Sequence, residues 1–172
     1  MRKSAALPRR LSARRNGSPT QARILRPRRG GIRALRAADY DRVEALWRAS
    51  EGIVLREADS RPAIARYLRR NPEMSFVFEV GRELAGAVLC GTDGRRGFLH
   101  HLAVARGHRR EGIGAALVER ALAALSQIGI DKCHLLVLPT NTAARRFWKR
   151  VGWVERGDVV LMSHTASGKP EA

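Results

Sequence analysis

The chain has 172 residues, 44 % of them hydrophobic, which suits one domain with a real core. No run of eighteen apolar residues occurs, which argues against a helical membrane span. The formal net charge is +17, but residues 1–30 hold ten Arg or Lys and no acid, so the remainder has 23 basic against 16 acidic residues, a net +7. A nucleic-acid-binding class therefore rests mainly on this tail, whose contact would be weak and non-specific. The tail reads as a disordered basic extension, because Pro8, Pro19 and Pro27 with Gly17, Gly30 and Gly31 interrupt any long helix. It is Arg-rich and acid-free in the manner of a transit peptide, and it lacks the apolar stretch of a secretory signal. Cys90 and Cys133 fall in apolar runs and are too few for a disulfide framework. They read as free buried thiols of a reducing compartment, and the chain as cytoplasmic.

The folded domain is expected over 31–163, with a frayed tail at 164–172. Residues 32–36 alternate like a strand. Asp39 caps a helix in which Val43, Leu46 and Trp47 share a face, and Gly52 breaks the chain after it. Ser60, Arg61 and Pro62 start a second helix with Ile64, Tyr67 and Leu68 as its stripe, ended by Asn71-Pro72. Three strands follow at 74–80, 84–90 and 98–104, joined by turns at 81–83 and 92–95 into an antiparallel meander. Gly112 opens a helix to about 128, where Ile113, Leu117, Ala121, Ala124, Leu125 and Ile128 recur at helical spacing. Residues 134–138 read as a short buried strand, 142–151 as a helix and 153–162 as a closing strand. The class is α/β (α+β), with a mixed central sheet of about six strands in the order β-α-α-β-β-β-α-β-α-β and helices on both faces.

The sharpest chemical signal is Arg109-Arg110-Glu111-Gly112-Ile113-Gly114-Ala115, which follows a strand and opens a helix. A helix start presents unpaired N–H groups and partial positive charge, so it receives an anion without a dedicated side chain. Gly112 and Gly114 let a pyrophosphate approach the backbone, and Arg106, Arg109 and Arg110 add charge. The glycines alone fit a ligand-free strand-to-helix turn equally well. The pattern is not a dinucleotide fingerprint, because no acidic residue stands where a ribose needs one.

The segment matches an Arg/Gln-x-x-Gly-x-Gly/Ala pyrophosphate motif at Arg109, Gly112 and Gly114. Downstream, the run from Asn141 to Trp153, with Ala144, Phe147 and Gly152, matches an Asn-x-x-Ala-x-x-Phe-Tyr-x-x-x-Gly-Phe segment. In this order, the two resemble the GNAT family of N-acetyltransferases over about 32–162, and the run Gly91-Thr92-Asp93-Gly94-Arg95-Arg96-Gly97 resembles a bacterial branch whose substrates are largely unassigned. The resemblance implies acetyl-CoA as acetyl donor, no metal, and direct attack by a primary amine, of a small molecule or a protein, within a ternary complex. It implies that the pantetheine arm enters between two splayed strands and pairs with Leu102, Ala103 and Val104. The pyrophosphate would then lie on residues 109–115, including Glu111, Ile113 and Ala115, with Asn141, Ala144 and Phe147 beyond. Glu111 would point to solvent, and a backbone N–H near Leu102 would face the developing oxyanion.

The expected base is His100, which aligns with a catalytic histidine of the arylalkylamine N-acetyltransferases; their companion histidine is Phe98 here. Alternation would set Phe98, His100, Leu102 and Val104 on one face and Leu99, His101 and Ala103 on the other. Glu79 is a second candidate and Asp93 a third, while His108 and His134 read as structural. Two departures stand out: Trp148 where many members place an acidic tyrosine, and Leu136 where ribosomal-protein Nα-acetyltransferases carry a glutamate. The loop 51–59, with Glu51, Glu57 and Asp59, would attract a cationic amine, whereas Arg95 and Arg96 would suit an anionic group. Beside the enzyme stand two other readings, a non-catalytic acetyl-CoA-binding module and a basic nucleic-acid-binding protein. A monomer and a homodimer are both compatible with the sequence.

Overall fold

The computed structural model describes residues 30–166; the basic extension lies almost wholly outside these residues, as does most of the expected frayed tail. Five strands form one sheet in chain order: β1 (Gly31–Ala34), β2 (Phe76–Val80), β3 (Glu83–Thr92), β4 (Gly97–Val104) and β5 (Cys133–Leu135). The first four pair antiparallel, and β5 returns parallel to β4 through a crossover helix. The helices are α1 (Tyr40–Arg48), α2 (Arg61–Arg70), α3 (Ile113–Gln127) and α4 (Thr142–Arg150). No helix among the described residues is long and apolar enough to cross a membrane.

Strand alternation divides the core in two. Phe76, Phe78, Val88, Cys90 and Leu99 face α3 and its buried Ile113, Leu117, Ala121 and Leu125. Val77, Ala87, Leu89 and Ala103 face Val43, Leu46 and Trp47 of α1 and Ile64 of α2. Gly86 sets how closely α3 approaches: a Cβ there would lie 2.9 Å from Ile113 Cγ2 and 3.0 Å from Leu117 Cδ1. The first turn of α3 is thereby seated on the sheet beside the end of β4.

Three expectations are corrected. Among the described residues the sheet has five strands, because residues 153–162 form no strand; Val154, Val160 and Met162 are 83–87 % exposed. An edge strand needs a template, and β5 offers only three residues before leaving the sheet. The run 134–138 is not a buried strand either, since β5 ends at Leu135 and Leu136 is 68 % exposed. Asp39 does not cap α1 with its side chain. Its carboxylate takes the Arg33 guanidinium at 2.7 Å and the Arg36 N–H at 2.9 Å. Cys90 is buried and Cys133 half-buried, both as free thiols.

Candidate active site

β4 and β5 pair through Gly97–Cys133, Phe98–His134 and Leu99–Leu135, then part. A cleft opens there between residues 99–102 of β4 and 135–138, floored by Ala144 and Trp148 of α4 and reached by the loop carrying Glu51. The peptide groups of β4 past Leu99 have no β5 partner in the ladder, so an amide-bearing ligand arm can complete them.

The register along β4 changes in the same place. Ala87 faces Ala103 and Leu89 faces His100, so one β3 residue, Val88, opposes two on β4, His101 and Leu102. This is a β-bulge, and His101 adopts φ +50° to make it. The bulge overturns the simple alternation expected for this strand. His100 contacts Tyr67 of α2, with ring centroids 6.2 Å apart, and stacks on Phe98. His101 lies 5.0 Å from the Trp47 ring of α1. Both imidazoles therefore face α1 and α2, while Leu99, Leu102 and Val104 pack towards α3.

The bulge is pinned on two sides. Fully buried Trp47 donates its indole N–H to the His101 carbonyl at 3.0 Å. His101 Nε2 and Asp59 Oδ1 are 2.7 Å apart, and the Arg56 N–H donates to Asp59 Oδ2 at 2.9 Å. Burial pushes the Asp59 carboxyl up, but the hydrogen bonds from His101 and Arg56 outweigh it and hold the group below its ordinary range. Asp59 is thus ionised at neutral pH. Burial also holds His100 below the ordinary imidazole value, with His101 adding to the effect and Asp59 opposing it. Tyr67 Oη is buried without a hydrogen-bond partner among the described residues, and burial raises its pKa far enough to keep the phenol protonated.

At the outer end of β4, a 3-10 turn (Arg106–His108) leads into the glycine segment. Arg110 and Gly112 take φ +66° and +86°, and the first helical hydrogen bond of α3 runs from the Ala116 N–H to the Gly112 carbonyl. The N–H groups of Ile113, Gly114 and Ala115 come before it and have no acceptor within the helix. Alternating backbone signs ahead of a helix start make an anion-holding concavity, so these residues fit a pyrophosphate. Gly114 also lies under α4, where a Cβ would sit 3.3 Å from Phe147 Cζ. Asn141 caps α4 by accepting the Ala144 N–H at 3.0 Å. Half-exposed Glu111 lies 3.6 Å from His108.

The sequence-derived site residues are partly reunited. His100, Leu102, Asn141 and Ala144 line one cleft, and the 109–115 segment with Phe147 lies at the start of α3. Glu79 is not brought to the site: on β2 it is held by Arg33 at 2.8 Å and Arg42 at 2.9 Å. Asp93 accepts the N–H groups of Arg95 and Arg96 in the β3–β4 turn. The His101–Asp59 pair went unseen in sequence, because two adjacent histidines give no sign of a bulge.

A sheet splayed beside a helix N-terminus, with imidazoles at the splay, suits a ligand that carries both a phosphate and an amide-bearing arm. The profile of the acetyltransferase (GNAT) family matches residues 40–153, and the chain belongs to that family of acyl-CoA-dependent N-acetyltransferases, with acetyl-CoA as donor. An acetyltransferase of Pectobacterium atrosepticum is 34 % identical over 121 residues, 70 % of this chain and 84 % of its own length. One of Sodalis glossinidius is 31 % identical over 132 residues, 76 % of this chain and 92 % of its own length. The solved structure of the ribosomal-protein-S18-alanine N-acetyltransferase from Escherichia coli shares the fold, with a TM-score of 0.59 and 20 % identity over 72 % of this chain and 76 % of that one.

Proposed function

We propose that this chain acetylates a primary amine by direct attack within a ternary complex. The observation that carries the reading is the cleft where β4 parts from 135–138, lined by the two histidines of the bulge, on the strand whose outer end leads into the α3 N-terminus. Acetyl-CoA supplies an acetyl thioester: a C–N bond forms, the C–S bond breaks, and of the two protons the ammonium gives up, one ends on the thiol and one in solvent.

Each part of the chain has a share in this reaction. The N–H groups at 113–115, with Arg109 and Arg110, hold the pyrophosphate. The peptide groups of Leu102, Ala103 and Val104 orient the donor arm, and the Leu102 N–H at the bulge faces the carbonyl oxygen as charge grows there. An alkylammonium of pKa about 10 is free base in only about one molecule in a thousand at pH 7. A proton acceptor is therefore required, and His100 and His101 are the imidazoles at the cleft. Trp148 lines the cleft where an acid would stand, and its indole can only donate a hydrogen bond. A leaving thiolate of pKa about 8.5 departs without that acid.

The test is a screen of primary amines, comprising polyamines, aminoglycosides, amino-acid amides and short peptides, for thiol released from acetyl-CoA by the full chain. Acetylated amine identified by mass spectrometry, in amounts matching the thiol, is the expected result. Acetyl-CoA binding with no turnover on any amine would favour the non-catalytic binding module.

A further inference from the structure

We propose that His101 is the catalytic base of this acetyltransferase and that Asp59 is its positioning residue, the pair being assembled by the bulge in β4. The proposal rests on the acetyl-transfer reading above and assigns its proton to one atom.

The backbone supplies the first argument. A histidine at φ +50° in the middle of a strand is strained, and strain of this kind persists only where its surroundings over-determine it. Here they do: Trp47 holds the His101 carbonyl, and Asp59 holds the ring. Asp59 is itself fixed from its own main chain by the Arg56 N–H. Its side chain and that of His101 are only 14 % and 20 % exposed, so the pair is shielded from bulk water.

The second argument is the tautomer. An ionised carboxylate only accepts hydrogen bonds, so the 2.7 Å contact places the imidazole proton on Nε2. Nδ1 then carries the lone pair, on a residue that lines the cleft. In the step, an N–H bond of the ammonium breaks, a bond from Nδ1 to that proton forms, and the amine keeps its electron pair for attack. The imidazolium so formed faces the Asp59 carboxylate, and the pair passes from net −1 to neutral. The proton then leaves to solvent.

The surrounding groups favour this assignment over His100. From α2, Tyr67 remains a neutral phenol against His100, whose contacts are the Tyr67 and Phe98 rings. Among the described residues the carboxylate hydrogen-bonded at the bulge is on His101, and none is paired with His100. From the α1–α2 loop, Glu51 reaches the cleft but is paired with Arg106 at 2.8 Å. The carboxylate in contact with the bulge is that of Asp59, a charge that suits a cationic amine.

Two measurements on the full chain decide the matter. In two-bond ¹H–¹⁵N spectra of the free protein at neutral pH, His101 is expected as the Nε2–H tautomer, becoming a mixture in Asp59→Asn. An Nδ1–H or already mixed His101 in the wild type overturns the pairing, whatever the enzyme does with amines. With an amine returned by the screen, His101→Gly keeps the bulge backbone and should lower kcat by about 10²–10⁴-fold. Acetyl-CoA affinity should stay within about threefold, because the pyrophosphate is held elsewhere. Added imidazole should restore turnover in His101→Gly, and much less so when Asp59→Asn is added. A folded His101→Gly enzyme that keeps its kcat, or one that imidazole cannot restore, overturns the proposal. So does a loss confined to His100→Gln. A screen that returns no amine counts against acetyl transfer itself, while the tautomer still reports on the pair.

Discussion

Glu51 reaches from the acceptor loop to the arginines of the phosphate segment, and its removal should tighten the binding of acetyl-CoA. Its Oε1 lies 2.8 Å from Arg106, and its Oε2 lies 4.0 Å from Arg109. The carboxylate thus occupies guanidinium groups that an incoming pyrophosphate would use. Glu51 and Arg106 are 71 % and 72 % exposed, so water screens the pairs and each contributes at most about 1 kcal/mol. Glu51→Gln keeps the shape, releases both arginines and removes a negative charge beside the anion. Both effects have the same sign, and about 0.4–1 kcal/mol corresponds to about two- to fivefold tighter binding. Screening is strong beyond about 8 Å at 0.15 M ionic strength, so the gain should shrink below about twofold at 0.5 M salt. Calorimetric titration of wild type and Glu51→Gln at both ionic strengths reads this directly. Unchanged or weaker binding by the variant at low salt would refute the competition, and with it the placement of the anion beside Arg109.

Two further predictions concern the frame around the site. Hydrogen bonds from Arg33, opposed by partial burial, hold the Asp39 and Glu79 carboxyls below their ordinary range. Their folded pKa values are depressed, so their contribution to stability is complete above about pH 5 and is lost as pH falls through the folded values. Arg33→Met should flatten the urea midpoint against pH between about 5 and 2, and an unchanged slope would count against the cluster. Gly97 opens the β4–β5 ladder, and a Cβ there would lie 2.3 Å from buried Leu125 Cδ1 and 3.2 Å from Cys133 Sγ. Gly97→Ala should cost about 1–3 kcal/mol in denaturant unfolding, and a neutral result would mean that α3 gives way more freely than its packing indicates.

The elements with strong periodicity were legible in the sequence. α3 is 15 residues long, and its apolar positions fall on one stripe that the sheet covers, so its limits follow from Gly112 and Gly129. The meander of β2, β3 and β4 was legible because alternation and turn residues agreed. What was not legible depends on partners distant in sequence. The bulge exists because Val88 opposes two residues and Trp47, 54 positions away, binds the displaced carbonyl. Residues 159–162 are as apolar as a strand, but strand character without a pairing edge leaves them outside the sheet. Glu79 has a residue type suited to acid–base chemistry; only the β1–β2 pairing shows that Arg33 consumes it.

The central claim is that the α3 N-terminus and the cleft beside β4 together hold acetyl-CoA. Its most direct test is a calorimetric titration of acetyl-CoA into the full chain and into a Gly112→Asp, Gly114→Asp variant, with circular dichroism confirming that both are folded. One site per chain with a Kd in the micromolar range, about −8 kcal/mol, lost in the variant, is the predicted result. A folded wild-type chain that binds no acetyl-CoA, or a variant that binds it undiminished, would contradict the account.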